Sequence, residues 1–294
     1  MQNAAPVEFP RYRDFGRIIA DTFQFLRQNW KPLFRALAVI CLPVGILSGF
    51  LMGKSMGDLQ QLSIQAQTDP SAAAAMGNSM LPMFLGYFLM LVMIIMLIAV
   101  VYEYMRAYHM GEHHGITTAD IWRRSFRQSG NYLALTIITA ILVTLSTFVF
   151  IIPGIYVFVA LTFVYMAHAI ERTGIGGSLS RSYRLIQDRW WETFGLMIVV
   201  VLIQWLISYA LMMPSMILSF VIGLTSTRNS METGGAPDLG WLSIAMSVLT
   251  MLNMLIIFLT YPIMSVAMGL KYFSLVEEKE GLGIRQRIQM FEQA

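Results

Sequence analysis

The sequence predicts an all-α polytopic membrane protein. Its six transmembrane helices are expected as three hairpin repeats with interfacial amphipathic helices on the cytoplasmic side. Three observations carry this expectation. Apolar residues make up 56% of the 294 positions and charged ones only 13%, about half the charge of a soluble domain. Apolar runs near the ~20 residues that cross a bilayer recur along the chain. Lysine and arginine fall on alternate loops and almost nowhere else.

The first 31 residues are charged throughout and lack an apolar core followed by a small-residue cleavage site, so no signal peptide is expected. Phe15, Ile18, Ile19, Thr22, Phe23, Leu26 and Trp30 recur at helical spacing, with Asp14, Arg17, Asp21, Gln24, Gln28 and Lys31 on the other side. Such a helix suits the headgroup region, apolar face down. The spans then follow at 32–53, 81–106, 131–152, 154–170, 194–222 and 241–270.

The first span holds the single cysteine, Cys41, so no intramolecular disulfide forms. It also carries Gly45, Gly49, Gly53 and Gly57, one glycine every four residues. A glycine row lets a second helix backbone approach closely, inside the chain or in a second copy. The second span ends near Glu103 and Arg106, three apart and able to pair. In the long run 131–170, Pro153-Gly154 reads as the tight turn of a helical hairpin. Pro43, Pro214 and Pro262 are expected to break or kink spans one, five and six.

Of 20 Lys and Arg, only Lys54 and Arg228 lie in the loops after spans one and five. Positive residues stay inside, so both termini are expected in the cytoplasm. The basic excess reads as an orientation signal and a contact with anionic lipid, not as a nucleic-acid surface. Arg17, Arg27, Arg123, Arg124, Arg127, Arg181, Arg184 and Arg189 are the candidate headgroup contacts. Trp190 and Trp191 are expected to anchor the membrane boundary.

A short pattern repeats. "EHHGIT" begins at Glu112, "ERTGIG" at Glu171 and "EKEGLG" at Glu278. A second one precedes the odd-numbered spans: "TFQFLRQNW" from Thr22, "SFRQSGNY" from Ser125 and "SYRLIQDRW" from Ser182. The chain therefore reads as a single integral membrane domain of three units, 12–116, 117–175 and 176–283, with an amphipathic tail over 284–294. Gly115, Gly174 and Gly281 suit the left-handed conformation that ends a helix. Glu112, Glu171 and Glu278 sit where the helix dipole disfavours a carboxylate. Each is expected to tie its hairpin to a following helix through Arg123 or Arg124, Arg181 or Arg184, and Arg285; solvated turn charges are the plainer alternative. In the third unit, Leu179, Tyr183, Ile186 and Trp190 form the expected apolar face.

Chemistry-bearing clusters are sparse. His109, Glu112, His113 and His114 carry ligand-type side chains, but Gly111 and Gly115 flank them at a helix end, so metal is not expected. Haem ligation by His109 and His168 has no supporting motif. Met90, Met93 and Met96 share a stripe that suits Cu(I), yet methionine is also the usual filler of irregular apolar gaps. No cofactor is expected. Gln204 and Asn253 are the polar groups that a transport path would use. No Gly-rich phosphate loop, nucleophile elbow or zinc-protease motif occurs in the sequence.

The stretch "IPGIYVFVALTFVYMAHAIERTGIGGSLSRSYRLIQDRWWETFG" resembles the membrane domain attached to some bacterial glycerophosphoryl diester phosphodiesterases, and related stand-alone membrane families of unknown function. Pro153, Gly154, Ile155, Tyr156, Glu171, Ser178, Arg181, Ser182, Tyr183, Leu185 and Trp190 carry the resemblance, and "DTFQFLRQNWKPLF" fits the same family's opening segment. It implies the architecture and a bacterial inner-membrane location. The phosphodiesterase domain has no counterpart here, so no catalytic residue is implied. The expected function is a non-enzymatic scaffold or assembly partner of an envelope-linked complex, with lipids, a membrane-protein partner or a second copy as contacts. The alternative is a transporter or lipid-handling protein with a path between the repeats.

Overall fold

The computed structural model describes residues 6–66, 70–112, 116–233 and 240–281. These hold nine helices: α1 (Phe15–Gln28), α2 (Trp30–Gln65), α3 (Pro70–His109), α4 (Thr118–Val149), α5 (Ile151–Ala160), α6 (Val164–Glu171), α7 (Ile175–Ile186), α8 (Trp190–Thr233) and α9 (Gly240–Glu280). Six stretches are long and apolar enough to cross a membrane: Trp30–Ser63, Ala75–His109, Thr118–Val149, Ile151–Glu171, Trp190–Pro214 and Ser243–Glu280. The chain is an all-α, multi-pass membrane protein.

The long helices overrun the expected span edges. α2, α3, α8 and α9 run 36, 40, 44 and 41 residues, because flanking stretches such as "QQLSIQ" and "SAAAAMG" are good helix formers although polar or weakly apolar. α4 likewise begins at Thr118 and continues unbroken into its apolar part, so the amphipathic stretch and the third span are one helix. Its start is fixed by a capping box in which Thr117 and Asp120 bond each other's backbone N–H. Pro43, Pro214 and Pro262, and also Pro82, lie inside helices that continue across them.

The turn of the α4–α5 hairpin is at Phe150, extended at φ −158° and ψ 151°, and not at Pro153-Gly154. Proline fits the first turn of α5, where its missing N–H has no partner to lose. Gly154 serves close approach: a Cβ there would lie 2.1 Å from Thr147 Oγ1 on α4. The fourth span is broken at 161–163 between α5 and α6, a stretch with neither Pro nor Gly.

The chain forms two compact units. One comprises Met1–Leu37, Ile95–Gln204 and Tyr261–Ala294; the other comprises Ala38–Ile94 and Trp205–Thr260. In the second unit the glycine row of α2 meets α9. A Cβ at Gly49 would lie 2.9 Å from Met251 Cα, one at Gly53 2.4 Å from the Met246 carbonyl, and one at Gly57 2.3 Å from Ser243 Cα. Side chains would force these backbones apart. Gly45 instead faces Met93 Sδ, so this buried methionine of the candidate copper stripe fills the gap above a glycine. Ser48 Oγ donates to the Gly86 carbonyl at 2.8 Å, joining α2 to α3.

Candidate functional site

In the first unit, α7 fits into the break in the fourth span. With the helix ladder interrupted, Ser182 Oγ donates to the Ala160 carbonyl at 2.7 Å and accepts from the Phe163 N–H at 3.2 Å. One fully buried hydroxyl thus serves both freed backbone groups. Ser178, also fully buried, bonds the Gly174 and Thr173 carbonyls at 3.2 and 3.3 Å. The buried face of α7 is Ser178, Ser182, Leu185 and Ile186. Of the expected apolar face, Ile186 is buried, Leu179 packs beside Leu135, Leu161 and Val164, Trp190 is half-buried and Tyr183 is exposed. Ser182 sits on the buried face because the broken helix offers it hydrogen-bonding groups, whereas Ser178 bonds carbonyls at the start of α7 itself.

Charges lock α7 and the start of α8 onto α9. Arg181 Nε reaches Glu171 at 2.5 Å and its Nη1 reaches Glu280 at 2.5 Å. The hydrogen bond to Glu280, with Glu171 second among its carboxylates, pushes the Arg181 pKa up against the opposing effect of burial. Tyr272 OH donates to the same Glu171 oxygen at 2.7 Å. Arg189 bonds Glu278, and Lys279 bonds Asp188 at 2.9 Å. Lys271, only 2% exposed, meets Glu192 at 2.5 Å.

Deeper in this unit, fully buried Glu103 accepts from Arg172 Nη2 at 2.6 Å and from Tyr132 OH at 3.1 Å. Arg172, not Arg106, is thus the partner of Glu103, and Arg106 Nε is buried without a hydrogen bond. Near the N-terminus, buried Arg13 bonds Asp21 at 2.7 Å and the carbonyls of Glu8, Phe9 and Arg11. Its backbone N–H donates to Ser274 Oγ on α9. Burial lowers its pKa against the opposing bond from Asp21.

Beside the lattice of α7, α8 and α9 charges lies a cavity of about 740 Å³, lined by Ile152, Ile155, Tyr156, Gln187, Asp188, Arg189, Trp190, Trp191, Glu192 and Phe194. Its wall is aromatic. Tyr156 stacks on Trp190 at 5.5 Å and 16°, and Trp190 on Phe194 at 5.0 Å and 19°. Trp190 Nε1 donates to the Tyr156 carbonyl at 3.2 Å, fixing that ring. A second cavity of about 390 Å³ has Glu171, Arg181, Tyr272, Phe273, Glu277 and Glu280 among its lining.

The sequence candidates fall as follows. Glu112 bonds Arg124 at 2.5 Å, Glu171 bonds Arg181, and Glu278 bonds Arg189; Arg285 lies outside the described residues. Gly281 is left-handed at φ 59°, Gly115 is outside the described residues, and Gly174 is the extended N-cap of α7. The left-handed residue of that turn is Arg172, at φ 51°. Arg124, Arg181 and Arg189 hold carboxylates, whereas Arg17, Arg27, Arg123, Arg127 and Arg184 are exposed. Gln204 and Asn253 are half-buried and line neither cavity. The His109 ring lies 4.8 Å from Phe273, His113 and His114 are outside the described residues, and no metal-holding cluster occurs among the described ones. Sequence reasoning missed Arg13, Arg172, Lys271 and Tyr272. Only the lone Lys271 at the edge of an apolar run was a visible signal.

Residues 33–272 match the model of a family described as a domain of unknown function, DUF7847. The chain belongs to that family, and the match gives no specific link to phosphodiesterases or to any other catalytic family. No curated protein and no solved structure matches the chain.

Proposed function

We propose that the chain is a non-enzymatic lipid-handling protein of a bacterial inner membrane, with both termini in the cytoplasm, and that the aromatic groove holds one lipid. The groove carries this reading. Its volume of about 740 Å³ is that of a small-molecule site. It joins two isoleucines and four aromatic rings to a charged rim, the combination an amphiphile needs at a membrane boundary. Exposed Arg17, Arg27, Arg123, Arg127 and Arg184 supply contacts for surrounding anionic headgroups. Three copies of one hairpin unit, with amphipathic helices at the inner leaflet, are the arrangement we infer for the whole. Thr22, Ser125 and Ser182, which hold equivalent places in the repeated pattern, are all buried and support it.

The test is native mass spectrometry of protein released from lipid nanodiscs. Ile155→Trp fills the groove, whereas Ile141→Trp adds the same bulk on exposed α4. The reading expects one retained lipid fewer per chain for the first variant alone. Equal lipid counts for both variants and the parent would refute it.

The scaffold or assembly reading has one observation of its own. At the α4–α5 turn, Phe148 is 90% and Ile152 80% exposed, with Val149, Phe150 and Ile151 between them also exposed. A membrane-protein partner would cover that ridge. Crosslinking from a cysteine placed at Phe148 in native membranes tests it; labelling by lipid probes alone would reject a partner there.

A further inference from the structure

Resting on the lipid reading, we infer that the groove selects a zwitterionic phospholipid headgroup, one with an ammonium group and a phosphodiester. Tyr156, Trp190 and Phe194 stack into a column, so the faces of Trp190 are already covered. Trp191 stands perpendicular to Trp190, with centroids 4.8 Å apart and planes at 89°. It is 77% exposed and so offers a free indole face. An ammonium group binds best over tryptophan.

Charge points the same way. The groove is lined by two carboxylates, Asp188 and Glu192, and by one guanidinium, Arg189. Asp188 pairs with Lys279, and its side chain is 80% exposed. Arg189 meets Glu192 and Glu278 through its terminal Nη1 and Nη2 nitrogens. Its Nε–H takes part in neither contact and suits a phosphodiester oxygen. The ammonium then sits on Trp191 beside Asp188 and Glu192, and Ile152 and Ile155 receive the first part of an acyl chain. Counted with the groups they pair with, Asp188, Glu192 and Glu278 stand against Arg189, Lys271 and Lys279, a balance of charge that a net-neutral headgroup leaves undisturbed and a net-anionic one does not.

The experiment reconstitutes the full chain in nanodiscs of equal phosphatidylethanolamine and phosphatidylglycerol and counts retained lipids by native mass spectrometry. The parent is expected to retain the ethanolamine lipid in preference, by roughly two- to fivefold, the worth of one exposed cation–π contact. Trp191→Ala and Asp188→Asn should each bring that ratio toward one, whereas Ser180→Ala, exposed and outside the groove, should leave both the ratio and the number of retained lipids as in the parent. Trp191 and Asp188 are exposed as well, so folding is not at stake. Retention without preference, or preference for the glycerol lipid, would overturn the headgroup assignment and leave the lipid reading standing. No groove-dependent lipid at all would overturn both. Binding of soluble phosphoethanolamine to lipid-depleted protein as tightly as the lipid would overturn the assignment to a membrane lipid.

Discussion

Ser182→Ala is the sharpest probe of how α7 is held. The substitution removes one hydroxyl and leaves the Phe163 N–H and the Ala160 carbonyl without their partner, at a site where Ser182 is fully buried. A buried backbone group left unsatisfied costs about 1–3 kcal/mol. Two such groups come to roughly 2–6 kcal/mol, and slight tightening of the broken turn places the expected loss near ~3 kcal/mol. At ~2–4 °C per kcal/mol for a large domain, the unfolding midpoint should fall by about 6–12 °C. Circular dichroism during heating in one detergent measures it, as an apparent midpoint at a fixed scan rate. Ser180→Ala, on the exposed side of the same helix, is the control. If both variants melt together, Ser182 does not join α7 to the broken span.

The remaining predictions concern the ion pairs and the glycine row. Glu103→Gln leaves the Arg172 guanidinium without its counter-charge; because Arg172 is 28% exposed, the loss should sit near the ~3 kcal/mol lower end for a broken buried pair. An unchanged midpoint would show the pair to be dispensable. Arg181→Lys replaces a fork with a point charge and keeps only one of the contacts to Glu171 and Glu280, costing about 1.5–3 kcal/mol. Arg184→Lys, exposed on the same helix, should cost nothing measurable, and equal losses for the two would count against the clasp. Gly53→Ala drives a Cβ into the Met246 backbone, while Gly77→Ala meets nothing within 4 Å. The first should destabilise by about 1–3 kcal/mol and the second stabilise by up to ~1 kcal/mol. Cys41, the single cysteine and fully buried, reports both through a thiol-reactive dye on heating. Midpoints moving in the same direction would contradict the backbone contact.

Six long apolar helices were legible because hydropathy and length act locally. Their ends were not, since the stretches flanking the spans are polar yet still good helix formers. The Glu112–Arg124 and Glu171–Arg181 contacts join residues 12 and 10 apart across single turns, which is why spacing suggested those partners. Glu103 and Arg172 are 69 residues apart, and Lys271 and Glu192 are 79 apart. Nothing local in a sequence encodes such pairs. The break at 161–163 has no Pro or Gly to announce it, because its freed backbone groups are satisfied by a serine about 20 residues later in the chain. The groove escaped for the same reason. Trp190 and Trp191 read as membrane anchors until Tyr156, 34 residues earlier, is seen stacked against them.

Photoactivatable phospholipid, crosslinked in reconstituted membranes and mapped by peptide mass spectrometry, tests the central claim most directly. A lipid seated in the groove predicts dominant adducts on residues 152–156 and 187–194, lost in Ile155→Trp. Adducts spread evenly over exposed α4 and α8, with none enriched at those two segments, would contradict it.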